Sequence, residues 1–404
     1  MRADATAGMQ KTTGPVLSGL RVLDFGRYIA APYCSHLLAN EGAEVIRVEP
    51  PEGATDRVVM PVGIEGRGGL YLQVNNNKKS LTLDFSTEAG RAVLERLIAT
   101  TDIVVVNVPH AALHKLGLDY ESLCRIKPDI ILTSISAFDA SGRDRDRVGF
   151  DGTGQALSGS MYLTGDGQRP TRAAVSYVDY ATAMSAAFAT MTAVIERMKT
   201  GQGQHVSCSL MGTALTMMNP MLMEEASGYR SRKPMGNRSP IAGPSDLYAA
   251  TDGWVMVQVI GDAMFRRWAN LMGMPELVDD PRYATDSDRG ENGEELSRIM
   301  ADWCKTRTFR QCLDELSANR VPACRCLTPA DTLNFKGFDD YVEDLSVSDD
   351  GKPLPLVARS IHTRSADSTD RRMAPELGAD TVDLLKALEM GEDDIKRLKA
   401  DGIV

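Results

Sequence analysis

At 404 residues, with 43% hydrophobic and 25% charged side chains, the chain is too long for a small module and can bury a sizeable core in one large domain or two. A formal charge of −10 argues against nucleic acid as a partner, because phosphate neutralisation needs a basic face. No run approaches the roughly 20 apolar residues of a membrane span, and the first sixteen residues lack a basic-then-apolar signal pattern, so the reading is a frayed lead-in to a cytoplasmic protein with no membrane partner.

The elements begin at once. Residues 21–25 read as a strand, 32–41 as a helix and 44–48 as a second strand. Strand-like runs follow at 80–85, 102–106 and 129–135, with a helix at 87–99. Val/Ile-rich runs without polar alternation predict a buried, largely parallel sheet covered by helices, Rossmann-like in outline. A dinucleotide fingerprint is missing, however. The turn after the first strand, Gly26 to Pro32, has one glycine and a proline where close approach to a pyrophosphate needs several glycines, which excludes nicotinamide binding despite Glu49 at the end of the second strand.

Residues 149–210 concentrate the signals for chemistry. Six glycines between 149 and 167 suggest backbone close to a ligand. A short extended run at 174–178 then precedes an Ala- and Met-rich helix over 180–199 that is apolar on nearly every face. Asp179 stands at the junction. It can cap the helix through its side-chain oxygen, or it can serve as a partly desolvated, reactive carboxylate at the mouth of a buried helix.

Beyond residue 224 the texture becomes charged and Gly/Pro-punctuated. Residues 247–260 read as a hairpin turning at Thr251-Asp252-Gly253, followed by amphipathic helices at 263–272, 294–306 and 309–319. The polar stretch 345–372 reads as irregular, and the last helices as a return to the first domain. Seven scattered cysteines fit reduced thiols in a cytosol. Cys324 and Cys326 form C-x-C, but no second pair or nearby histidine completes a zinc set, so no metal is expected.

Five segments in order give the chain a family resemblance: 20–53, with its Ala-Pro turn and closing Val-Glu-Pro; Asn-Lys-Lys-Ser at 77–80; 113–123 with 128–138; 149–210; and 375–404. It resembles the family III CoA-transferases, which include formyl-CoA and carnitine CoA-transferases. The resemblance implies an α/β fold: a Rossmann-like parallel-sheet large domain at 1–224, an inserted smaller α+β domain at 225–330, and a linker and return at 331–404. It further implies that two subunits interlock as a homodimer.

The same resemblance implies an enzyme that moves coenzyme A from an acyl-CoA donor to a carboxylic acid acceptor. Asp179 would form first a mixed anhydride and then an aspartyl-CoA thioester, covalent catalysis that divides a slow attack into easier steps. No cofactor is implied beyond the CoA thioester that is the substrate. Lys78, Asn107 and Lys115 match the family's CoA-binding positions. Tyr28, Ile29, Ala30 and Phe138, with Phe150 and the methionines near 217–223, are candidates to line an acyl pocket and read equally as core residues, and Ala30, Ala31 and the small residues near Asp179 are candidate oxyanion donors.

The region 235–248 lacks the four-glycine run by which formyl-CoA transferases close their site. Two alternatives stand beside the transferase: an α-methylacyl-CoA racemase on the same fold, and a non-catalytic acyl-CoA-binding protein. The racemase pattern Gly-His-Asp is Gly149-Phe150-Asp151 here, and phenylalanine cannot accept a proton.

Overall fold

The computed structural model describes residues 14–347, 351–357, 361, 363 and 370–404. Most of the N-terminal lead-in and part of the 345–372 stretch lie outside the described residues.

Six parallel strands form the main sheet: β1 (Arg21–Asp24), β2 (Glu44–Glu49), β3 (Lys79–Thr82), β4 (Ile103–Val106), β5 (Ile131–Ser136) and β6 (His205–Ser209). Their order is β3-β2-β1-β4-β5-β6, so the chain reverses its direction of travel between β1 and β4. In open α/β sheets that switch point, outside the carboxyl ends of the strands, is where ligands bind. The helices of this part are α1 (Ala30–Asn40), α2 (Gly69–Asn75), α3 (Glu88–Ala99), α4 (His110–Leu116), α5 (Tyr120–Ile126) and α6 (Asp151–Leu157). They are followed by α7 (Ser160–Thr164), α8 (Tyr177–Thr200) and α9 (Leu210–Ala226).

Strand residues alternate between two apolar cores, as a sheet buried on both faces requires. Leu23, Ile46, Leu81, Val104 and Leu132 face a core shared with α3 and the C-terminal helices. Val22, Val45, Ile103 and Ile131 face one shared with α1 and α8. α8 starts three residues earlier than the sequence reading placed it, because Tyr177 and Val178 are helical rather than extended. By length and composition α8 could cross a membrane, contrary to the reading that no run could. Here Val178, Ala183, Ala186 and Ala193 bury one of its faces in the core.

Two compact units divide the chain. The larger takes in 14–158, 173–219 and the described residues from 339 on; the smaller takes in 159–172 and 220–338. Residues 159–172 were not assigned to the second unit from sequence. They join it through backbone bonds from Met235 N–H to Leu163 O and from Gly236 N–H to Gly165 O, both 2.9 Å.

The smaller unit's antiparallel sheet is β7 (Ser245–Ala250), β8 (Gly253–Gln258) and β9 (Ala323–Arg325). Besides α7 and the end of α9, its helices are α10 (Asp262–Leu271), α11 (Asp286–Glu291), α12 (Gly293–Cys304), α13 (Phe309–Ala318) and α14 (Pro329–Leu333). Phe265, Trp268, Tyr283, Met300 and Leu316 form its core.

In the larger unit, part of the stretch read as irregular is an antiparallel ribbon of β10 (Val342–Val347) and β11 (Pro353–Val357). α15 (Thr381–Ala387) and α16 (Glu392–Ala400) close the chain. Asp380 Oδ2 and Thr381 Oγ1 accept the outward N–H groups of Ser80 and Thr82, which blocks the edge of β3.

Candidate active site

The turn after β1 is held more tightly than a connection requires. Three successive backbone N–H groups each donate to a side chain from a different place: Gly26 to Asp24 Oδ1 (2.7 Å), Arg27 to Asn107 Oδ1 (2.9 Å) and Tyr28 to Asp56 Oδ2 (2.8 Å). Asn107, just past β4, also donates to Arg27 O at 2.8 Å, so one amide ties the two strands that flank the switch point. Only glycine fits at 26, where a Cβ would lie 2.7 Å from Ala31 Cβ, Asp24 Oδ1 and Pro32 Cδ. Tyr28 adopts a left-handed φ of 62°, costly for a residue with a side chain, and the bond to Asp56 helps to hold it there.

A buried ionic cluster lies under this turn. Arg47 donates to both oxygens of Asp56 at 2.9 and 3.0 Å, and Arg57 to both oxygens of Glu49 at 2.9 and 2.7 Å. Lys78 belongs to the same cluster. Its Nζ donates to Asp24 Oδ2 (2.7 Å), Pro32 O (2.7 Å) and Asn75 Oδ1 (2.9 Å), and its side chain has no exposed surface. The expectation that Lys78 grips a CoA phosphate is therefore corrected, because all three donors are committed to protein oxygens. Burial, opposed by Asp24, pushes its pKa down to about 8. Burial works against the charge of Asp24 and of Glu49, yet the neighbouring cations hold both carboxyls below their ordinary values. Arg47, Arg57 and Lys78 are matched by Asp56, Glu49 and Asp24, with the partly exposed Arg27 at the margin, and this pairing makes so polar a cluster tolerable in the interior.

α8 runs directly into β6, which is parallel to the rest of the sheet, so its N-terminus lies at the sheet's carboxyl edge. Ser176, at its N-cap position, makes no side-chain cap. Asp151, the buried first residue of α6, supplies one instead: its Oδ1 accepts Val178 N–H at 2.8 Å and Asp179 N–H at 3.3 Å. Gln155 steadies Asp151 through Nε2 to Oδ2 at 2.6 Å, and its Oε1 accepts Ala173 N–H at 3.0 Å. Two first-turn N–H groups are thus taken by Asp151, and Asp179 is the third residue of α8 and half-buried. The glycines upstream have an internal use as well. A Cβ on Gly154 would lie 3.0 Å from Val178 Cγ1, and one on Gly149 3.0 Å from Ala137 Cβ, so close packing explains these two without a ligand.

The first turns of α1 and α8 adjoin through Tyr33 and Tyr180, whose rings meet edge-to-face at 5.0 Å, and Tyr180 Oη donates to Gln73 at 2.9 Å. Tyr28 meets the exposed ring of Phe150 at 6.3 Å, next to Asp151. The structure thus gathers Tyr28, Ile29, Ala30 and Asn107 in one turn and connects them through Phe150 and Asp151 to Asp179. Phe138 is buried after β5, with the Arg147 guanidinium 5.1 Å above its ring. Lys115 is exposed near the end of α4, and the structure gives it no contact with this group.

Sequence reasoning missed Asp151, Gln155 and Arg27. The Arg27 guanidinium donates to Gly26 O at 2.8 Å and Phe25 O at 3.2 Å, and burial pulls its pKa down. Asp151 had a visible signal, an acid opening a helix 28 residues before Asp179.

The fold and the half-buried carboxylate of Asp179 define a Rossmann-type α/β frame, and comparison with known proteins defines the class. The chain matches CoA-transferase family III over residues 17–381 and belongs to that family. It is 36% identical over 325 residues to succinyl-CoA–D-citramalate CoA-transferase of Chloroflexus aurantiacus, covering 80% of this chain and 81% of that one. It is 33% identical over 379 residues to succinate–glutarate CoA-transferase of Agrobacterium fabrum, covering 90% and 93%. A crystal structure of a CaiB/BaiF family protein from Brucella suis superposes with a TM-score of 0.79 at 31% identity, covering 93% of this chain and 100% of that one. The protein is a CoA-transferase, moving coenzyme A from an acyl-CoA to a carboxylic acid.

Proposed function

We propose that Asp179 is the nucleophile, that the donor is succinyl-CoA or a close analogue, and that the acceptor is a short dicarboxylic acid. The observation that carries the first part is the placement: Asp179 stands half-buried in the first turn of α8, at the carboxyl edge of the sheet, with a buried carboxylate, Asp151, accepting its backbone N–H. The relatives named for succinyl, citramalate and glutarate substrates support the second part.

A carboxylate oxygen of Asp179 attacks the thioester carbonyl carbon. The C–O bond forms first, giving a tetrahedral intermediate; its collapse breaks the C–S bond, and CoA leaves as the thiolate with the bonding pair. That thiolate then attacks the aspartyl carbonyl of the anhydride, releasing the donor acid as its carboxylate and leaving an aspartyl-CoA thioester. The acceptor acid reverses both steps.

Each tetrahedral intermediate needs N–H donors. The N–H groups of Gly26, Arg27 and Tyr28 already have acceptors, whereas α1 opens at Ala30 without a side-chain cap, which favours Ala30 and Ala31 over the three residues before them. Tyr28 and Phe150 would wall the acyl group, with Ile29 and Phe138 behind. Lys115 would meet a CoA phosphate.

A stripe on α8, comprising Met184, Phe188, Ile195 and Met198, is exposed, Phe188 by 77% and Met198 by 81%. So large an apolar stripe on one helix favours a covering partner, and we propose that a second copy of the chain covers it in a homodimer. All seven cysteines are free thiols, which supports a cytoplasmic setting. The central test is to incubate the enzyme with succinyl-CoA alone, add hydroxylamine and map the modified residue by mass spectrometry. Modification at Asp179 is expected; an unmodified Asp179 in an enzyme that turns over would overturn the assignment.

A further inference from the structure

We infer that Asp151 is a positioning residue that keeps Asp179 nucleophilic by neutralising the positive end of α8; the inference rests on Asp179 being the nucleophile. The first turn of a helix presents unpaired N–H groups and the positive pole of the helix dipole, equivalent to about half an elementary charge. A carboxylate in that turn is stabilised as an anion and so made a poorer attacking group. Asp179 is the third residue of α8, within reach of that field.

Asp151 opposes it directly. Its Oδ1 takes the N–H groups of Val178 and of Asp179 itself, and it is 2% exposed, so water screens it little. A serine, threonine or asparagine would cap the same N–H groups without bringing a charge. The full negative charge exceeds what capping needs, and it lies one hydrogen bond from the backbone of the nucleophile. The bond from Gln155 to Oδ2 and the reach of Gln155 to Ala173 N–H fix both the carboxylate and the chain entering α8. In the acylation step Asp151 forms no bond to substrate and transfers no proton. It acts only by raising the energy of the Asp179 carboxylate relative to the neutral anhydride it becomes.

The test is Asp151→Asn, which keeps an acceptor for the two N–H groups and removes the charge. Wild type, Asp151→Asn and Asp179→Ala are mixed with succinyl-CoA without acceptor and quenched at intervals, and protein-bound CoA is followed by intact-protein mass spectrometry. Adduct formation in Asp151→Asn should slow about tenfold, the kinetic equivalent of a helix-terminus charge effect, with the KM for succinyl-CoA and the thermal midpoint close to wild type.

Asn at 151 turns an N–H toward Gln155. Asp151→Asn/Gln155→Glu restores the bond between the two side chains and keeps the acceptor for Ala173 N–H while moving the charge one side chain away, so it should remain slow if charge at 151 is what matters. Wild-type adduct rates in either variant would overturn the inference. Absence of adduct from wild type, or its persistence in Asp179→Ala, would instead overturn the nucleophile assignment on which it rests.

Discussion

The buried cluster below the β1–α1 turn and the first turn of α8 both gather charged side chains at the carboxyl edge of one sheet, yet they are opposite solutions. In the cluster each charge meets its opposite: Lys78 with Asp24, Arg47 with Asp56, Arg57 with Glu49. Its function is to hold the shape of a turn. At α8 two carboxylates are placed near one helix end, and the one that caps is not the one that begins the helix. A charged residue inside a family motif is therefore not thereby a ligand-binding residue. What decides is whether the fold already satisfies it.

The strongest way to break this comparison is at Asp179. Asp179→Asn and Asp179→Ala should each reduce transfer by at least about 10³-fold, as loss of a nucleophile does, while urea midpoints stay near wild type because Asp151 still caps α8. A variant that keeps activity but unfolds early would reverse the roles assigned to the two acids. Lys78→Met comes next and should act on stability. It strands the Asp24 carboxylate in the interior, a loss of about 3–5 kcal/mol in urea unfolding. If Lys78→Met instead folded normally and weakened acyl-CoA binding in a salt-dependent way, Lys78 would return to phosphate recognition.

The sheet was legible because hydrophobic runs of four to six residues with little polar alternation have few other uses, and the second unit's hairpin and helices because their periodicity and capping residues are local. Tertiary bonds were not legible. Lys78 matched a binding motif, but its three acceptors come from β1, α1 and α2, and no local pattern announces that convergence. Asp179 read as an N-cap because the run before it is Val- and Tyr-rich. The structure assigns the cap to Asp151, 28 residues upstream, a pairing that exists only after α6 packs on α8 through Gly154. The resemblance supplied Asp179 as the proposed nucleophile; it could not supply what holds it.

Asn107 sharpens the comparison at intermediate size, because it joins the rigid turn to the site without belonging to the ionic cluster. Asn107→Ala removes both bonds to the Arg27 backbone and should cost about 1–3 kcal/mol of stability, with kcat falling more than KM rises as the turn before Ala30 loosens. Equal stability and kinetics to wild type would mean that the turn needs no tie. The cluster should also give the protein its acid limit. Asp24 and Glu49 have folded-state pKa values below their ordinary 3.8 and 4.5. Their contribution is complete above those values and is lost as pH falls through them toward the folded values, where the unfolded chain takes up protons first. Thermal midpoints should hold steady down to about pH 5 and drop below it. Removing the Lys78 charge should shrink that drop, which is read from midpoints of wild type and Lys78→Met across the same pH series.

The smallest effect expected is at Lys115. It is exposed near the end of α4, where a cation also complements the helix C-terminus, so a structural use and a binding use compete for it. If it meets a CoA phosphate through water-exposed geometry, Lys115→Ala should raise the KM for acyl-CoA by only about three- to fivefold, the scale of an exposed ion pair. The increase should vanish in high salt, which screens such contacts over distances of about 10 Å or less, and kcat should not move. Lys115→Glu should roughly double the logarithmic change, because it replaces attraction with repulsion at the same place. A KM that ignores both substitutions at low salt, together with a slightly lower thermal midpoint, would assign Lys115 to the helix end and leave the phosphates to be met by cations other than Lys115 and the internally committed Lys78.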